Sequence, residues 1–251
     1  MGNALELSLD ELRKPNTHGF FDDLDAYVTG GRWTALAADS GASVAMEDYS
    51  SSYGFNGSVL FTTGGTDNNE ATIYTTKKNY LLANDKPFDL RCRLQFTEAA
   101  TNTANVFFGF TSAPGADLMV DNGAGPATSM SGVGWYKIDS SSNTNWNTIT
   151  SIGSTQTLTQ LNATNSATKA ALSAIGGGVT TLGIKGRYVS STQVEVEFLI
   201  DTAGGSNLVL ASKQTFTYTS AAAMGISLYV KTGSSNSQTM RADYVFCAAK
   251  R

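Results

Sequence analysis

Apolar and polar residues alternate with a period of two along most of this chain. From Phe88 to Phe96 every even position is apolar, while Asp89, Arg91, Arg93 and Gln95 occupy the odd ones. This is the pattern of a strand with one wet face. Val194, Val196, Phe198 and Ile200 repeat it, with Glu195 and Glu197 turned the other way. So do Leu182, Ile184, Gly186 and Tyr188; Met224, Ile226, Leu228 and Val230; and Met240, Ala242, Tyr244 and Phe246. Val106-Phe107-Phe108-Gly109-Phe110 is apolar on both faces and reads as a central strand, with further strands at Gly132 to Ile138 and Ile149 to Ile152.

Turn signals separate these runs: Asn56-Gly57, Gly64 to Asn69, Asp121-Asn122-Gly123 and Ala203-Gly204-Gly205. Many short strands at fairly regular spacing predict an all-β sandwich or jelly roll. No linker or internal repeat divides it, so residues 19–251 are expected to form one domain. One helix is expected, from Asn165 to Ile175, stopped by Gly176-Gly177-Gly178.

The start of the chain has a different pattern. Ser8-Leu9-Asp10-Glu11 has capping-box spacing and Pro15 closes any helix that follows. Residues 1–18 are therefore read as an N-terminal arm. Its Leu5, Leu7, Leu9 and Leu12 are candidates for docking on a partner, or equally for a turn packed on the arm's own domain.

The alternation also bears on the two cysteines. Cys92 is in phase with Leu90 and Leu94, whereas Cys247 is out of phase with Met240, Ala242, Tyr244 and Phe246. Opposed faces keep the two sulfurs beyond disulfide reach. Two free thiols are expected, and a twist or bulge near residue 247 is the condition under which a bridge becomes geometrically open.

Composition then narrows the chemistry. The chain has 251 residues, 17 Lys+Arg against 21 Asp+Glu, a net charge of −4 and 15% charged residues. That charged fraction is low beside the usual ~25%, and mild acidity argues against a nucleic-acid binder. No segment approaches the roughly 18 apolar residues of a membrane span. The sole histidine, His18, limits any triad or zinc site to one imidazole.

Glu195 and Glu197 are the one tight same-face carboxylate pair on a clear strand, but the Glu-x-Asp-x-x-Glu spacing of jelly-roll glucanases is missing. Acidic turns at Asp22-Asp23-Leu24-Asp25, Asp67 to Glu70 and Asp117 to Asn122 do not form an EF-hand loop, and their side chains suit backbone capping. No catalytic residue, metal ligand or cofactor site is assigned, and no enzyme activity is expected. Sugar stacking without catalysis has one aromatic set available: Trp33, Trp135, Tyr136, and Trp146 within the Asn143, Asn145 and Asn147 hairpin. Trp146 serves equally as an anchor at a protein interface.

Gly19-Phe20-Phe21-Asp22-Asp23-Leu24-Asp25, Arg32-Trp33-Thr34 and the closing Met240 to Phe246 resemble the first and last strands of concanavalin A-like jelly rolls. The middle, with Asp121 to Pro126 and Gly134-Trp135-Tyr136-Lys137, resembles virion structural proteins of tailed bacteriophages, most of all capsid decoration (cement) proteins. That resemblance implies a non-enzymatic protein on the capsid exterior of a virion, made in the host cytoplasm. Its implied partners are the major capsid protein and its own copies, as trimer or dimer, with neither nucleic acid nor membrane. Abundant Ser, Thr and Asn suit wet lattice contacts multiplied by avidity. The alternative is a carbohydrate-binding, lectin-like module of a phage fibre or adhesin.

Overall fold

The computed structural model describes residues 17–48, 55, 57–83, 86–100, 102–121, 123–141, 144–162, 178–217 and 222–250. The leucines of the arm and the expected helix at 165–175 lie outside these residues. Among the described residues there are eighteen strands and no helix.

In chain order they are β1 (Thr17–Asp22), β2 (Trp33–Leu36), β3 (Ser43–Glu47), β4 (Ser58–Thr62), β5 (Glu70–Thr75), β6 (Tyr80–Leu82), β7 (Phe88–Thr97), β8 (Ala104–Thr111) and β9 (Met119–Val120). The remainder are β10 (Gly125–Pro126), β11 (Gly132–Lys137), β12 (Asn147–Ile152), β13 (Thr155–Thr159), β14 (Val179–Ser190), β15 (Gln193–Asp201), β16 (Val209–Thr217), β17 (Ala222–Thr232) and β18 (Thr239–Lys250). Two eight-stranded antiparallel sheets hold nearly all of them. One runs β16-β15-β14-β7-β18-β4-β3 with β1 alongside β18, and the other runs β13-β12-β11-β8-β17-β5-β2 with β6 on β17. The molecule is an all-β sandwich, as the alternation predicts.

The inner faces supply one core. Leu90, Cys92 and Leu94 of β7, Leu182 and Ile184 of β14, and Val196, Phe198 and Ile200 of β15 meet Val106, Phe108, Phe110, Val133, Trp135, Ile226 and Leu228 of the other sheet. Trp135 bridges the layers: its ring meets Phe198 edge-on at 5.6 Å, and its indole Nε1 donates to the Gly183 carbonyl at 3.0 Å. An indole N–H cannot be buried without such an acceptor, so this bond helps fix how the sheets are seated.

Where the pattern and the structure part, the cause is identifiable. In β18 a bulge lies between Ala242 and Tyr244, opposite the consecutive pair Leu94 and Arg93 of β7. The extra residue, Asp243, shifts the phase by one. Val245 and Cys247 consequently join Met240 and Ala242 in the core, while Tyr244 leaves it to lie against Phe21 at 5.5 Å between centroids. The inference of opposed cysteine faces is therefore corrected. Cys92 and Cys247 share the core face, at diagonal positions opposite Val245 and Leu90, and both are free thiols. Diagonal neighbours sit about 7 Å apart, too far for a bridge.

A second apolar cluster explains why β8 and β11 lack a wet face. Phe107, Tyr136, Ile149 and Tyr229 on the outer side of their sheet are covered by Leu118, Met119 and Met130 from the segment around the β9–β10 ribbon. Glu70 anchors that cover, its carboxylate accepting from the Asp117 amide at 3.1 Å and from the Tyr229 hydroxyl.

Candidate functional site

The two edges of the chain's described span meet at one end of the sandwich. β1 pairs with β18 so that Thr17 faces Lys250 and His18 faces Ala249. On the opposing sheet, short β6 extends β17 by setting Tyr80 against Met224 and Leu82 against Ala222. Lys86 and Phe88 follow, leading into β7. The Phe88 ring occupies the space that a side chain at Gly186, its partner on β14, would fill: a Cβ there would stand 2.1 Å from the ring.

Between these elements the sheets part around a cavity of about 510 Å³, lined among others by His18, Asn79, Tyr80, Lys86, Phe88 and Lys250. A neighbouring cavity of about 290 Å³ shares His18, Asn79 and Tyr80 and adds Phe20, Arg32 and Lys77. The two cavities have this wall in common.

That wall is aromatic. Tyr80 lies 5.4 Å from the His18 ring and 5.1 Å from Phe110, and Phe110 meets Phe88 edge-on at 5.1 Å. Arg32 stacks its guanidinium 3.9 Å above Phe20. Burial pushes the Tyr80 hydroxyl well above its ordinary pKa, with Cys247 beside it adding to the rise, so the phenol remains a neutral hydrogen-bonding group. The Cys247 thiol is likewise raised by burial and stays protonated. Apolar ring surface with a few convergent polar groups is the usual make-up of a small-molecule site.

The residues expected from sequence fall elsewhere. Trp146 is corrected from a surface anchor to a core residue, 1% exposed. Of its polar neighbours Asn143 lies outside the described residues, and the other two turn inward to hold the chain: Asn147 Nδ2 donates to the Asn145 carbonyl at 2.9 Å, and the Leu161 amide donates to Asn147 Oδ1 at 3.1 Å. Trp33, Trp135 and Tyr136 are also buried, so that aromatic set forms no platform. Trp33 instead donates its Nε1 to Asp22 Oδ2 at 2.8 Å.

Glu195 and Glu197 do lie on the outer face, within an ion-pair ladder. Lys213 reaches Glu195 at 2.8 Å and Glu197 at 3.5 Å, and Arg187 closes on Glu195. These hydrogen bonds hold the Glu195 carboxyl below its usual range, the reverse of what a general acid requires. Among the described residues no three His, Cys, Asp or Glu side chains are grouped to hold a metal ion.

Sequence reasoning singled out His18 only for being alone, and it passed over Asn79, Tyr80, Lys86 and Lys250. Their convergence depends on pairing across nearly the whole chain, which no local spacing records.

No protein-family model matches the chain, and no curated protein sequence is significantly similar to it. Solved structures are similar in fold. The carbohydrate recognition domain of Emp47p aligns over 90% of this chain and 92% of its own, with a TM-score of 0.54 and 9% identity. Peanut lectin aligns over 93% and 97%, with a TM-score of 0.56 and 13% identity.

An endo-1,3-beta-glucanase from Streptomyces sioyaensis aligns over 94% and 98%, with a TM-score of 0.54 and 14% identity. This last neighbour overturns the expectation that the chain is not an enzyme, because the same sandwich carries catalysis as well as recognition. Nothing in these comparisons supports a virion or capsid-decoration role. The chain is a concanavalin A-like β-sandwich, a fold it shares with lectins and with a glucanase.

Proposed function

We propose that the chain is a carbohydrate-recognition module that takes a sugar in the cleft between β1, β6, β7 and β18. The observation that carries this reading is the shared wall of His18, Asn79 and Tyr80, where ring surface and hydrogen-bonding groups face cavities of about 510 and 290 Å³. Pyranose rings present apolar C–H faces and polar rims, and a site of this kind matches both. The lectin folds that the sandwich resembles add support.

Glycan-array screening of the purified chain, followed by calorimetry on the hits, tests it. The double substitution His18→Ala with Asn79→Ala should abolish binding while leaving the thermal melt close to wild type, since Asn79 is exposed and His18 only half-buried. Glu197→Gln, on the far outer face, should bind as wild type does. Binding that survives the double substitution moves the site elsewhere, and an array without hits removes the reading.

A further inference from the structure

Resting on the carbohydrate reading, we infer that the sugar taken here carries an apolar aglycone, a short alkyl or aryl group that the larger cavity receives. The two cavities differ in the side chains they present. Tyr80, Leu82, Phe88 and Phe110 line the larger one and are each at most 7% exposed, so it reaches into the core. Arg32, Thr75, Thr76 and Lys77 give the smaller one a hydrogen-bonding surface. His18 and Asn79 belong to both and reach solvent. A sugar held at those two residues therefore borders a polar chamber and an apolar one.

The apolar chamber is poorly suited to the sugar ring itself. A hydroxyl turned against Phe88, Phe110 or Leu82 leaves water and finds no partner on those side chains, which is unfavourable. Tyr80 offers little more, because its hydroxyl is engaged with the Cys247 thiol. An alkyl or aryl group loses no hydrogen bond there and gains from being buried. Lys86 and Lys250 also border the chamber, half-buried and exposed respectively, a placement that suits aliphatic stems along the cavity and ammonium groups in water.

Two small residues make the room. Phe88 stands between Gly186 of β14 and Ala249 of β18, its partners on the two neighbouring strands. Its ring fills the space above Gly186, where a Cβ would stand 2.1 Å from it, and the cavity is bordered by Ala249 on the other side. A side chain at position 186 would drive the ring toward Ala249 and so into the chamber. Gly186 is on this account a positioning residue for the aglycone.

The test is calorimetry on the full chain with methyl, butyl, hexyl and phenyl β-D-glucosides, galactosides and mannosides. Affinity should rise roughly ten- to fiftyfold from methyl to butyl, about fourfold per added methylene less the cost of ordering the alkyl group. Phenyl should join the tighter binders. Gly186→Ala should cut that gain to about fourfold or less, the worth of one methylene, while the methyl glycoside binds as it does to wild type. Ala249→Leu, at a half-buried position that fills the chamber from β18 and leaves Gly186 intact, should do the same.

If all alkyl lengths bind alike and His18→Ala with Asn79→Ala abolishes each, the carbohydrate reading stands and this inference fails. A gain that survives in both variants puts the aglycone elsewhere and overturns it. If no glycoside binds, this inference fails, while the glycan array decides the carbohydrate reading on its own.

Discussion

Removing the charge of Glu98 should cost this protein about 2–4 kcal/mol, because it leaves Lys137 buried without its counter-ion. Lys137 is fully buried at the end of β11, and its three ammonium protons have three acceptors: Glu98 Oε1 at 2.7 Å and the Ala104 and Ile138 carbonyls at 3.0 Å each. Glu98 in turn accepts from the amides of Asn102, Thr103 and Ala104 at 3.0–3.2 Å. Glu98→Gln keeps an acceptor oxygen for Lys137, Thr103 and Ala104, removes the charge, and sets an NH2 donor against the Asn102 amide, a loss within the same range.

Losing one member of a buried pair typically costs 3–5 kcal/mol. The range is set about 1 kcal/mol lower here because the Glu98 side chain is 16% exposed and Asp139 also attracts the ammonium. At roughly 2–4 °C per kcal/mol for a domain of this size, the melting temperature should drop by about 5–15 °C. Lys137→Met added to Glu98→Gln should recover much of the loss, since an apolar isostere has no charge to compensate.

The pH dependence supplies a second reading. Burial lowers the Lys137 pKa and Glu98 raises it again, so the Gln variant lowers it further. Below pH 10 the unfolded chain then binds the proton that the folded variant gives up, and stability rises with pH. Urea melts of wild type, both single variants and the double, at pH 7 and 9.5, measure all of this. A Glu98→Gln protein within 0.5 kcal/mol of wild type at pH 7 would refute the reasoning.

Two further outcomes follow from the packing. Gly109→Ala should destabilise by about 1–3 kcal/mol, because its Cβ would stand 2.2 Å from the Val133 carbonyl and 2.5 Å from Gly134 Cα, both backbone atoms of the adjacent strand. Gly178→Ala meets nothing within 4 Å and should melt within the error of wild type. Stability should also fall above pH 10, measured by the same urea melts. Burial pushes the Tyr244 hydroxyl up to about 12, so the unfolded chain loses this proton first, and this one group's share of the loss is at most about 3 kcal/mol by pH 12. Tyr244→Phe should remove that share and leave the rest of the decline, since burial raises the Tyr80 hydroxyl and the Cys247 thiol as well.

How much of this was legible in the sequence depends on how local its cause is. β15 alternates strictly and faces as its pattern states, whereas β7 puts its apolar positions inside as expected but buries Arg91 and Gln95 on the side read as wet. β17 shows the limit: Ser227, Tyr229 and Lys231 alternate with apolar residues yet are buried too, beneath a covering segment more than a hundred residues earlier. Asp243 carries no mark of a bulge, so the faces of Tyr244 and Cys247 came out reversed. Trp146 looked exposed because its neighbours are polar, but those amides are spent on backbone groups that the hairpin buries. The cleft was illegible for the same reason, being made by pairing His18 with Ala249 and Tyr80 with Met224.

The position of β18 has a consequence for biosynthesis. This strand lies between β7 and β4 and also carries β1, so one sheet lacks its middle until β18 arrives. Val59 of β4 waits for Ala242, roughly 180 residues later, an interval of roughly 10–40 s at ordinary translation rates. A nascent chain stalled before residue 239 therefore holds β4 and β7 with bare edges. Such ribosome-bound intermediates are where chaperones should engage this protein.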